Sequence, residues 1–483
     1  MSDLDSRRVD TGNNHDTSKL PRAHRQSNHL RSERTRRGFR LAIEGSSGSL
    51  DGELKIPCSK YHAHRALILA SLTPGKTVIN GLSDAGHVRY TIQALRSLGT
   101  KIKIDKDTFT VEGGPYSPVS PQVNVGSSGT TLYFLSGLAS LSDKPITIIG
   151  QRYFQRRPIK PLLNALADLG VELDSPNGCP PISVKPVRPA GGIVRISGML
   201  SQWISGLLLL APFCTRHSTI IVEGPFNERS YVDLTLRMMG QFGLEVDVTD
   251  DGYRFEIPPN QQPSPAVITL PPDIGSAAFG LAATALHPSD VLLRGLRSPK
   301  AAETDHPEAE LLDIISDMGL PMDVDPAAGF VRVRHSGIEL SPIAVDCRSV
   351  PDMLPILSVL ATFARGESYL SNVEHVRLKE SDRVSAMLQL NQMGGDVELR
   401  GDQLICRGVD ELKGAELSSF NDHRVLMALA IAASRAKGES RLTYPNAYKI
   451  SYPRFLNEMN GIGMKMSVEV GSVNFETPEV GNG

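Results

Sequence analysis

Residues 94–104 read ALRSLGTKIKI, a helix-like apolar segment that ends in Leu-Gly and runs into an alternating pattern. Glycine just past a helix takes the left-handed conformation that stops it, and period-two alternation then indicates a strand. The stretch decides the fold because the chain repeats it. The other copies are 165–173 (ALADLGVEL), 238–248 (MMGQFGLEVDV), 315–324 (ISDMGLPMDV), 390–399 (LNQMGGDVEL) and 458–468 (EMNGIGMKMSV).

The six copies are almost evenly spaced. Their glycines, at positions 99, 170, 243, 319, 394 and 463, are separated by 71, 73, 76, 75 and 69 residues. This spacing predicts six mixed α/β modules, and solenoid repeats usually have shorter periods, so we expect globular modules. A proline-rich stretch, 258–272, separates the third copy from the fourth and predicts two halves of three modules with a cleft between them.

Composition excludes several functional classes. The 483 residues carry 51 basic and 53 acidic side chains, a balance that favours neither nucleic acid nor a membrane surface as a partner. No stretch approaches the ~20 apolar residues of a membrane span. Five scattered cysteines lack metal-ligand spacing and are typical of reduced thiols in a cytoplasmic protein, so no metal is expected.

The first 40 residues differ from the rest. Residues 19–40 hold eight Lys and Arg against the single acid Glu33, and few apolar side chains. Such a segment cannot offset its ordering entropy by burial, so 1–40 is predicted to be a disordered basic tail. A transit peptide is the alternative, against which the acids at positions 3, 5, 10 and 16 argue.

Several short motifs have the form of anion sites at helix starts. In 57–65 (PCSKYHAHR) Ser59 can cap a helix whose free N–H groups, with Lys60, would bind an anion. The Gly-rich turn 125–131 (VGSSGTT) repeats this logic, and 155–159 (QRRPI) and 200–203 (LSQW) also enter helices. No P-loop lysine follows the Gly-rich turn, so a nucleotide triphosphate is not indicated.

The richest chemistry lies in 377–383 (RLKESDR) and 421–424 (NDHR). If the first block opens a helix, Lys379 and Arg383 stand at i and i+4, with Glu380 between them. A carboxylate would then lie inside a cationic fork, which is an anion site with its own acid or base.

These motifs occur in a familiar order. P-x-S-K-x4-R, G-x-x-G-T, R-P-I, S-Q-W, P-D, L-K-E-S-D-R and N-D-H-R resemble those of the enolpyruvyl transferases, and most closely the EPSP synthases, over residues 41–470. The resemblance implies a two-domain inside-out α/β barrel fold with buried helices and outer sheets. It implies a monomer in which 57–262 forms one domain and 41–56 plus 263–483 the other.

The resemblance also implies a substrate and site residues. Phosphoenolpyruvate (PEP) would place its phosphate by Lys60, Gly129, Arg157 and Gln202 and its carboxylate between Arg383 and Arg424. Planar guanidinium groups suit a carboxylate, and an ammonium acts as a point charge. The implied catalytic residues are Lys60, Asp352, Lys379 and Glu380: Glu380 exchanges the C3 proton, Asp352 accepts the hydroxyl proton, and the lysines assist. No cofactor is implied.

The departures fall mainly on the acceptor side. Tyr61 replaces a serine, Leu200 stands in a Ser-Ser-Gln motif, Glu228 replaces the serine that holds the shikimate phosphate, and His375 replaces an asparagine. The implied acceptor-binding residues are Tyr61, Arg65, Ser201, Gln202, Glu228, Tyr231, Asp352, His375 and Lys379. Like charges ~4 Å apart cost about 1 to 4 kcal/mol, so Glu228 argues against a phosphate there.

The sequence therefore predicts enolpyruvyl transfer from PEP to a hydroxyl of an acceptor other than shikimate 3-phosphate. A nucleotide such as uridine monophosphate, or a sugar derivative, would place the enzyme in specialised metabolism such as nucleoside antibiotic biosynthesis. The alternatives are an ordinary divergent EPSP synthase of the shikimate pathway and a non-catalytic ligand-binding relative. RNA 3′-phosphate cyclases, which share the superfamily fold, rank last because only the tail is basic.

Overall fold

The computed structural model describes residues 38–45, 48–81, 83–157 and 159–470. The tail prediction for residues 1–40 thus lies almost entirely outside the described residues. Its end was wrong, because Phe39 and Arg40 belong to the first strand. In the described chain, no helix is long and apolar enough to cross a membrane.

Twenty-four short strands and twelve α-helices form the described fold. The strands of the first 270 residues are β1 (Phe39–Glu44), β2 (Leu50–Lys55), β3 (Gly75–Asn80), β4 (Lys101–Asp105), β5 (Thr108–Gly113), β6 (Gln122–Asn124), β7 (Ile146–Ile149), β8 (Leu173–Asp174), β9 (Ile182–Val184), β10 (Ile193–Ser197), β11 (Ser218–Glu223), β12 (Asp247–Val248), β13 (Arg254–Ile257) and β14 (Val267–Thr269). The later strands are β15 (Ser289–Arg294), β16 (Asp323–Val324), β17 (Val331–His335), β18 (Ala344–Asp346), β19 (Glu367–Ser371), β20 (Asp396–Arg400), β21 (Gln403–Arg407), β22 (Glu416–Leu417), β23 (Glu439–Leu442) and β24 (Met466–Val470).

The helices alternate with the strands. They are α1 (Lys60–Leu72), α2 (Gly86–Ser97), α3 (Gly129–Leu138), α4 (Lys160–Asp168), α5 (Ser201–Leu210), α6 (Arg229–Gln241), α7 (Ile274–Leu286), α8 (Glu310–Asp317), α9 (Leu354–Phe363), α10 (Arg383–Met387), α11 (His423–Ser434) and α12 (Phe455–Gly461).

The strands form six four-stranded sheets, one for each predicted module. Their orders are β14-β3-β5-β4, β6-β7-β9-β8, β10-β11-β13-β12, β16-β17-β15-β2, β18-β19-β21-β20 and β22-β23-β1-β24. Each sheet contains one parallel pair and two antiparallel pairs; in the first, β14 runs parallel to β3. The six glycines that mark the repeat all have positive φ, between 74° and 110°. The predicted left-handed helix stops are therefore confirmed.

Helices lie inside and sheets outside. Every residue of α1, α7 and α11 is buried, whereas β4 exposes four of its five residues. Helices that are apolar all round need a core on every side, and the sheets provide that cover. The inside-out arrangement predicted from the resemblance is thus present.

The chain crosses twice between two hydrophobic cores. One core spans residues 61–270, and the other combines residues 41–56 with 274–466. The predicted boundary at 262/263 was wrong because β14, inside the proline-rich stretch, pairs with β3 in a sheet of the first half. The connection to the second half therefore follows Leu270.

Candidate active site between the two halves

The N-terminal ends of buried helices from both halves meet at one small cavity. Lys60, Gly129 and Ser201 are the first residues of α1, α3 and α5, and His423 is the first residue of α11. The side chain of Ser59 caps α1, as predicted, and the structure adds that of Ser128 as the cap of α3. The N–H groups at helix N-termini favour negative charge, and two of them already bind carboxylates: Lys60 N donates to Asp273 and Ser201 N to Glu228. The cavity is lined by Lys60, Tyr61, His64, His87, Gly129, Thr130, Arg157, Gln202, Asp352, Lys379, Glu380 and His423.

Arg383 connects three carboxylates. Its Nε lies 2.9 Å from Asp422 Oδ2, its Nη1 2.8 Å from Asp352 Oδ1 and its Nη2 2.7 Å from Glu380 Oε2. The side chain is buried, and despite burial these carboxylates, Asp422 foremost, raise the pKa of Arg383. The predicted contact between Glu380 and Arg383 is present. The helix begins later in the chain than predicted, because α10 starts at Arg383, with Asp382 as its cap.

Arg424 is held by a second set of oxygens. Its Nη2 lies 3.2 Å from Asp352 Oδ2 and 3.5 Å from Glu308 Oε2, and it donates a hydrogen bond to the Tyr61 hydroxyl. Its Nη1 donates to the Asp352 carbonyl at 3.2 Å. Two fully buried arginines therefore contact the same carboxylate, Arg383 at Oδ1 and Arg424 at Oδ2 of Asp352.

Asp352 is the centre of the site. Its Oδ1 also lies 3.6 Å from Lys379 Nζ, and its Oδ2 accepts a 2.8 Å hydrogen bond from Tyr61. Burial alone would raise the pKa of Asp352, but Arg424, Lys379 and Arg383 outweigh it and hold that pKa well below its usual range. The carboxylate is therefore ionised and can accept a proton.

The residues predicted around the PEP phosphate lie together at the first-half side of the cavity. A Cβ at Gly129 would lie 2.4 Å from Arg157 Nη1, so glycine lets the guanidinium approach the helix end. Gln202 donates to Thr130 Oγ1 at 2.8 Å, and Arg157 Nη1 lies 3.9 Å from Glu380 Oε1. Burial and the charge of Arg424 lower the pKa of Lys60.

Glu228, one of the residues predicted to bind the acceptor substrate, is surrounded by hydrogen-bond donors. Its Oε2 accepts from Ser201 N at 3.1 Å and from Ser201 Oγ at 2.5 Å, and its Oε1 forms an ion pair with Lys379. The residue is buried with φ of 58°. Burial opposes its ionisation, but Lys379 and His375 outweigh this and lower the pKa of Glu228. The same pair raises the pKa of Lys379 against the effect of burial.

Five predicted acceptor residues lie outside the cavity lining: Ser201 and Glu228, described above, and Arg65, Tyr231 and His375. Arg65 is buried with Nε bonded to Thr235 Oγ1 at 2.7 Å and Nη1 and Nη2 each 3.0 Å from the carbonyls of Tyr61 and Tyr231. Tyr231 donates to Glu308 Oε1 at 2.6 Å. His375 is buried within the electrostatic reach of Glu228. Arg65 is thus a structural tie for α1 and α6 in this arrangement.

Sequence reasoning missed several groups at the site. Glu308 and Asp273 are fully buried acids that contact Arg424 and the Lys60 backbone N–H, the latter at 3.0 Å. His64 and His423 also line the cavity. His87 lines it too, but this residue, which stands where the family has an acid, was a predicted pocket residue. Burial lowers the pKa of all three histidines, that of His87 to about 4. A helix cap before the apolar run 274–286 was the available signal for Asp273. Glu308 lies in no motif that could have revealed it.

The resemblance also implies a lysine directly before 451–453 (SYP), a position that Ile450 occupies here, and leaves Lys449, one residue earlier, as its candidate substitute. Lys449 is exposed, with Nζ 5.8 Å from the centroid of the Tyr448 ring, and Ile450 packs on the start of α2 at Gly86. Lys449 therefore does not replace it in this arrangement.

Comparisons with known proteins show the family. Residues 45–459 match the family described as EPSP synthase (3-phosphoshikimate 1-carboxyvinyltransferase). The 3-phosphoshikimate 1-carboxyvinyltransferase of Methanocaldococcus jannaschii is 36% identical over 437 residues, covering 89% of this chain and 100% of that protein. The enzyme of that name from Acetivibrio thermocellus is 35% identical, covering 88% of this chain and 99% of its own.

Two solved structures share the fold. EPSP synthase from Acinetobacter baumannii has a TM-score of 0.74 at 24% identity, covering 89% of this chain and 100% of its own. The enolpyruvyl transferase NikO from Streptomyces tendae has a TM-score of 0.71 at 17% identity, covering 89% and 99%. The predicted fold is confirmed, and this chain, an enolpyruvyl transferase, belongs to the EPSP synthase family.

Proposed function

We propose that this enzyme transfers the enolpyruvyl group of PEP to a hydroxyl of an acceptor that carries no phosphate beside Ser201 and Lys379. The observation that carries the proposal is the carboxylate of Glu228, which already accepts from Ser201 N, Ser201 Oγ and Lys379. A second anion at these donors would meet a buried like charge, which costs free energy that the internal pair does not. A nucleotide or a sugar derivative that presents a hydroxyl here remains the acceptor class we favour.

The assignment of PEP to this cavity rests on the positive charge around it. PEP carries about three negative charges near neutral pH. Lys60 and Arg157 line the cavity, and Arg383 and Arg424 lie buried behind it, each in contact with Asp352 of the lining. Guanidinium forks bind a carboxylate bidentately, so Arg383 and Arg424 are assigned the PEP carboxylate. Lys60, Arg157, Gln202 and the N–H groups at Gly129 are assigned its phosphate.

The proposed reaction is addition followed by elimination. C3 of PEP takes a proton from Glu380 as the acceptor oxygen attacks C2 and gives its proton to Asp352. The resulting tetrahedral ketal then loses a C3 proton to Glu380, and the C2–O bond to phosphate breaks. The acceptor's proton leaves with phosphate, so the atoms balance. Lys60 and Lys379 serve as cations near the moving protons.

PEP itself would raise the pKa of Glu380. Arg383 and Arg157 lie 2.7 and 3.9 Å from Glu380 and keep its pKa below the usual range, although burial acts in the opposite direction. A PEP carboxylate at Arg383 and a phosphate at Arg157 would share these cations. The pKa of Glu380 would then rise, which suits a residue that must deliver a proton to C3.

The second candidate is the EPSP synthase reaction with shikimate 3-phosphate. The printed names of relatives 35–36% identical over nearly the whole chain favour it. On this alternative, Lys379 and Ser201 would exchange Glu228 for the acceptor's phosphate, which requires the carboxylate to move or to take a proton.

Phosphate release from PEP separates the candidates. Purified enzyme is assayed with shikimate 3-phosphate, shikimate, uridine monophosphate, UDP-N-acetylglucosamine and no acceptor, beside the double variant Leu200→Ser with Glu228→Ser. We expect the wild type to reject shikimate 3-phosphate and the variant to gain activity with it. Efficient wild-type turnover of shikimate 3-phosphate would overturn the first proposal, and tight PEP binding without turnover of any acceptor would support a ligand-binding relative.

A further inference from the structure

His64 lines the cavity but has no role in the reaction proposed above. It lies on the first turns of α1, one residue before Arg65, and its side chain is buried. A chain of hydroxyl groups connects it to Ser128, the cap of α3. This chain links three helices beneath the proposed phosphate site.

The hydrogens in this chain can be counted. Ser128 Oγ accepts from Thr131 Oγ1 at 2.7 Å, so the single hydroxyl hydrogen of Thr131 is used there. Thr91 Oγ1 lies 2.6 Å from Thr131 Oγ1 and must therefore donate to it. His64 Nδ1 lies 2.7 Å from Thr91 Oγ1, whose only hydrogen is already used. Nδ1 must carry the hydrogen in the bond between them.

A proton on Nδ1 determines what the other nitrogen can do. Burial, with the charges of His87, Lys60 and Arg65, holds the pKa of His64 well below its usual range, so the imidazole is neutral. A neutral imidazole with Nδ1–H has a bare lone pair on Nε2. Because Nδ1 is bonded within the protein, Nε2 is the nitrogen that His64 presents to the cavity.

We propose that His64 is a ligand-binding residue whose Nε2 accepts a hydrogen bond from a bound O–H group. A bare phosphate oxygen would repel this lone pair, whereas a hydroxyl or a protonated phosphate oxygen would donate to it. The two sources are the acceptor's hydroxyl and the monoprotonated phosphate of PEP or of the released product. The inference rests on the proposed use of this cavity for PEP and acceptor.

Nitrogen-15 NMR of the histidine side chains tests the proposal without turnover. The His64 signals are assigned by their loss in His64→Asn, and we expect Nδ1 protonated and Nε2 bare in the ligand-free protein. PEP alone, inorganic phosphate, shikimate and uridine are then added in turn. A shift of Nε2 with PEP and phosphate identifies the phosphate O–H, and a shift only with a hydroxyl compound identifies the acceptor.

Two matched variants separate binding from folding. The amide of His64→Asn lies near the position of Nδ1 and can keep the bond to Thr91, whereas that of His64→Gln lies nearer Nε2. We expect His64→Asn to keep the wild-type melting temperature and to bind the responsive ligand about fivefold more weakly, the loss expected for one hydrogen bond. His64→Gln, with its amide oxygen towards the cavity, should recover part of that affinity.

Failure of the role proposed for His64 can be distinguished from failure of the proposed function. A protonated Nε2, or an Nε2 signal that no ligand moves while calorimetry shows PEP bound, would overturn the role of His64 and leave the proposed function standing. Calorimetry that shows no PEP binding would instead overturn the proposed function, and this inference with it.

Discussion

The hydroxyl of Tyr61 donates a 2.8 Å hydrogen bond to Asp352 and accepts one from Arg424. It therefore connects the proposed proton acceptor to the proposed PEP carboxylate site. The Tyr61 ring packs edge-on against Tyr231 and His306, with ring centroids 5.3 Å apart in each pair. Lys60 Nζ lies 3.9 Å from the centroid of the Tyr61 ring. Because both its ring and its hydroxyl are held by these contacts, Tyr61 can fix the distance between the two groups.

Tyr61→Phe should lower kcat by about tenfold or more, because a hydrogen bond to a charged group contributes about 1.5–3 kcal/mol. The lost bond stabilised the ionised form of Asp352, so the pKa of Asp352 should rise. The acid limb of the pH profile of kcat/KM should then move to higher pH. Tyr116→Phe, whose hydroxyl bonds Ser71 away from the site, is the control; an unmoved acid limb in Tyr61→Phe would refute the role.

Gly129→Ala should weaken PEP binding by about tenfold. The new Cβ would lie 2.4 Å from Arg157 Nη1, so the guanidinium must leave its place at the start of α3. The side chain is long enough to move, so the fold should survive, with a melting temperature close to that of the wild type. Calorimetric titration with PEP measures the effect, and equal affinity in both proteins would contradict the assigned phosphate site.

Gly99→Ala should reduce the free energy of unfolding by about 1–3 kcal/mol. Gly99 has φ of 94°, and its added Cβ would lie 2.4 Å from the Ser117 carbonyl oxygen. Gly240→Ala is the matched control, because it lies in α6 with nothing within 4 Å of its Cβ. There we expect a gain of up to about 1 kcal/mol from helix propensity. Urea unfolding measures both free energies of unfolding, and equal changes in the two variants would refute the argument.

Glu228→Gln should make stability less dependent on pH. The folded pKa of Glu228 is lowered, so its contribution is present above the unfolded value of about 4.3 and is lost as pH falls through the folded pKa. The variant should be less stable than the wild type at pH 7, with the difference shrinking below about pH 4. Urea unfolding at pH 7, 5, 4 and 3 tests this, and a difference that stays constant would show that Glu228 is not ionised.

Much of the fold followed from local rules, since a left-handed glycine after each helix leaves a mark in the sequence. The site followed less completely. Arg65 bonds to the backbone carbonyls of Tyr61 and Tyr231, and because every residue has a carbonyl, no pattern could predict these partners. The late start of α10 was readable, because Asp382 is a strong cap. The strand β14 was hidden because prolines surround its three residues.

The double crossing of the chain has a consequence for its synthesis and for its redesign. The first half can complete its sheets once β14 has left the ribosome, whereas β1 and β2 must wait for partners made later, β2 for β15 and β1 for β23 and β24. Phe39 and Val470 are direct neighbours across β1 and β24. A circular permutant that connects residue 470 to residue 39 and opens between residues 56 and 57 would therefore make each half a continuous segment, so that no strand has to wait while the other half is synthesised.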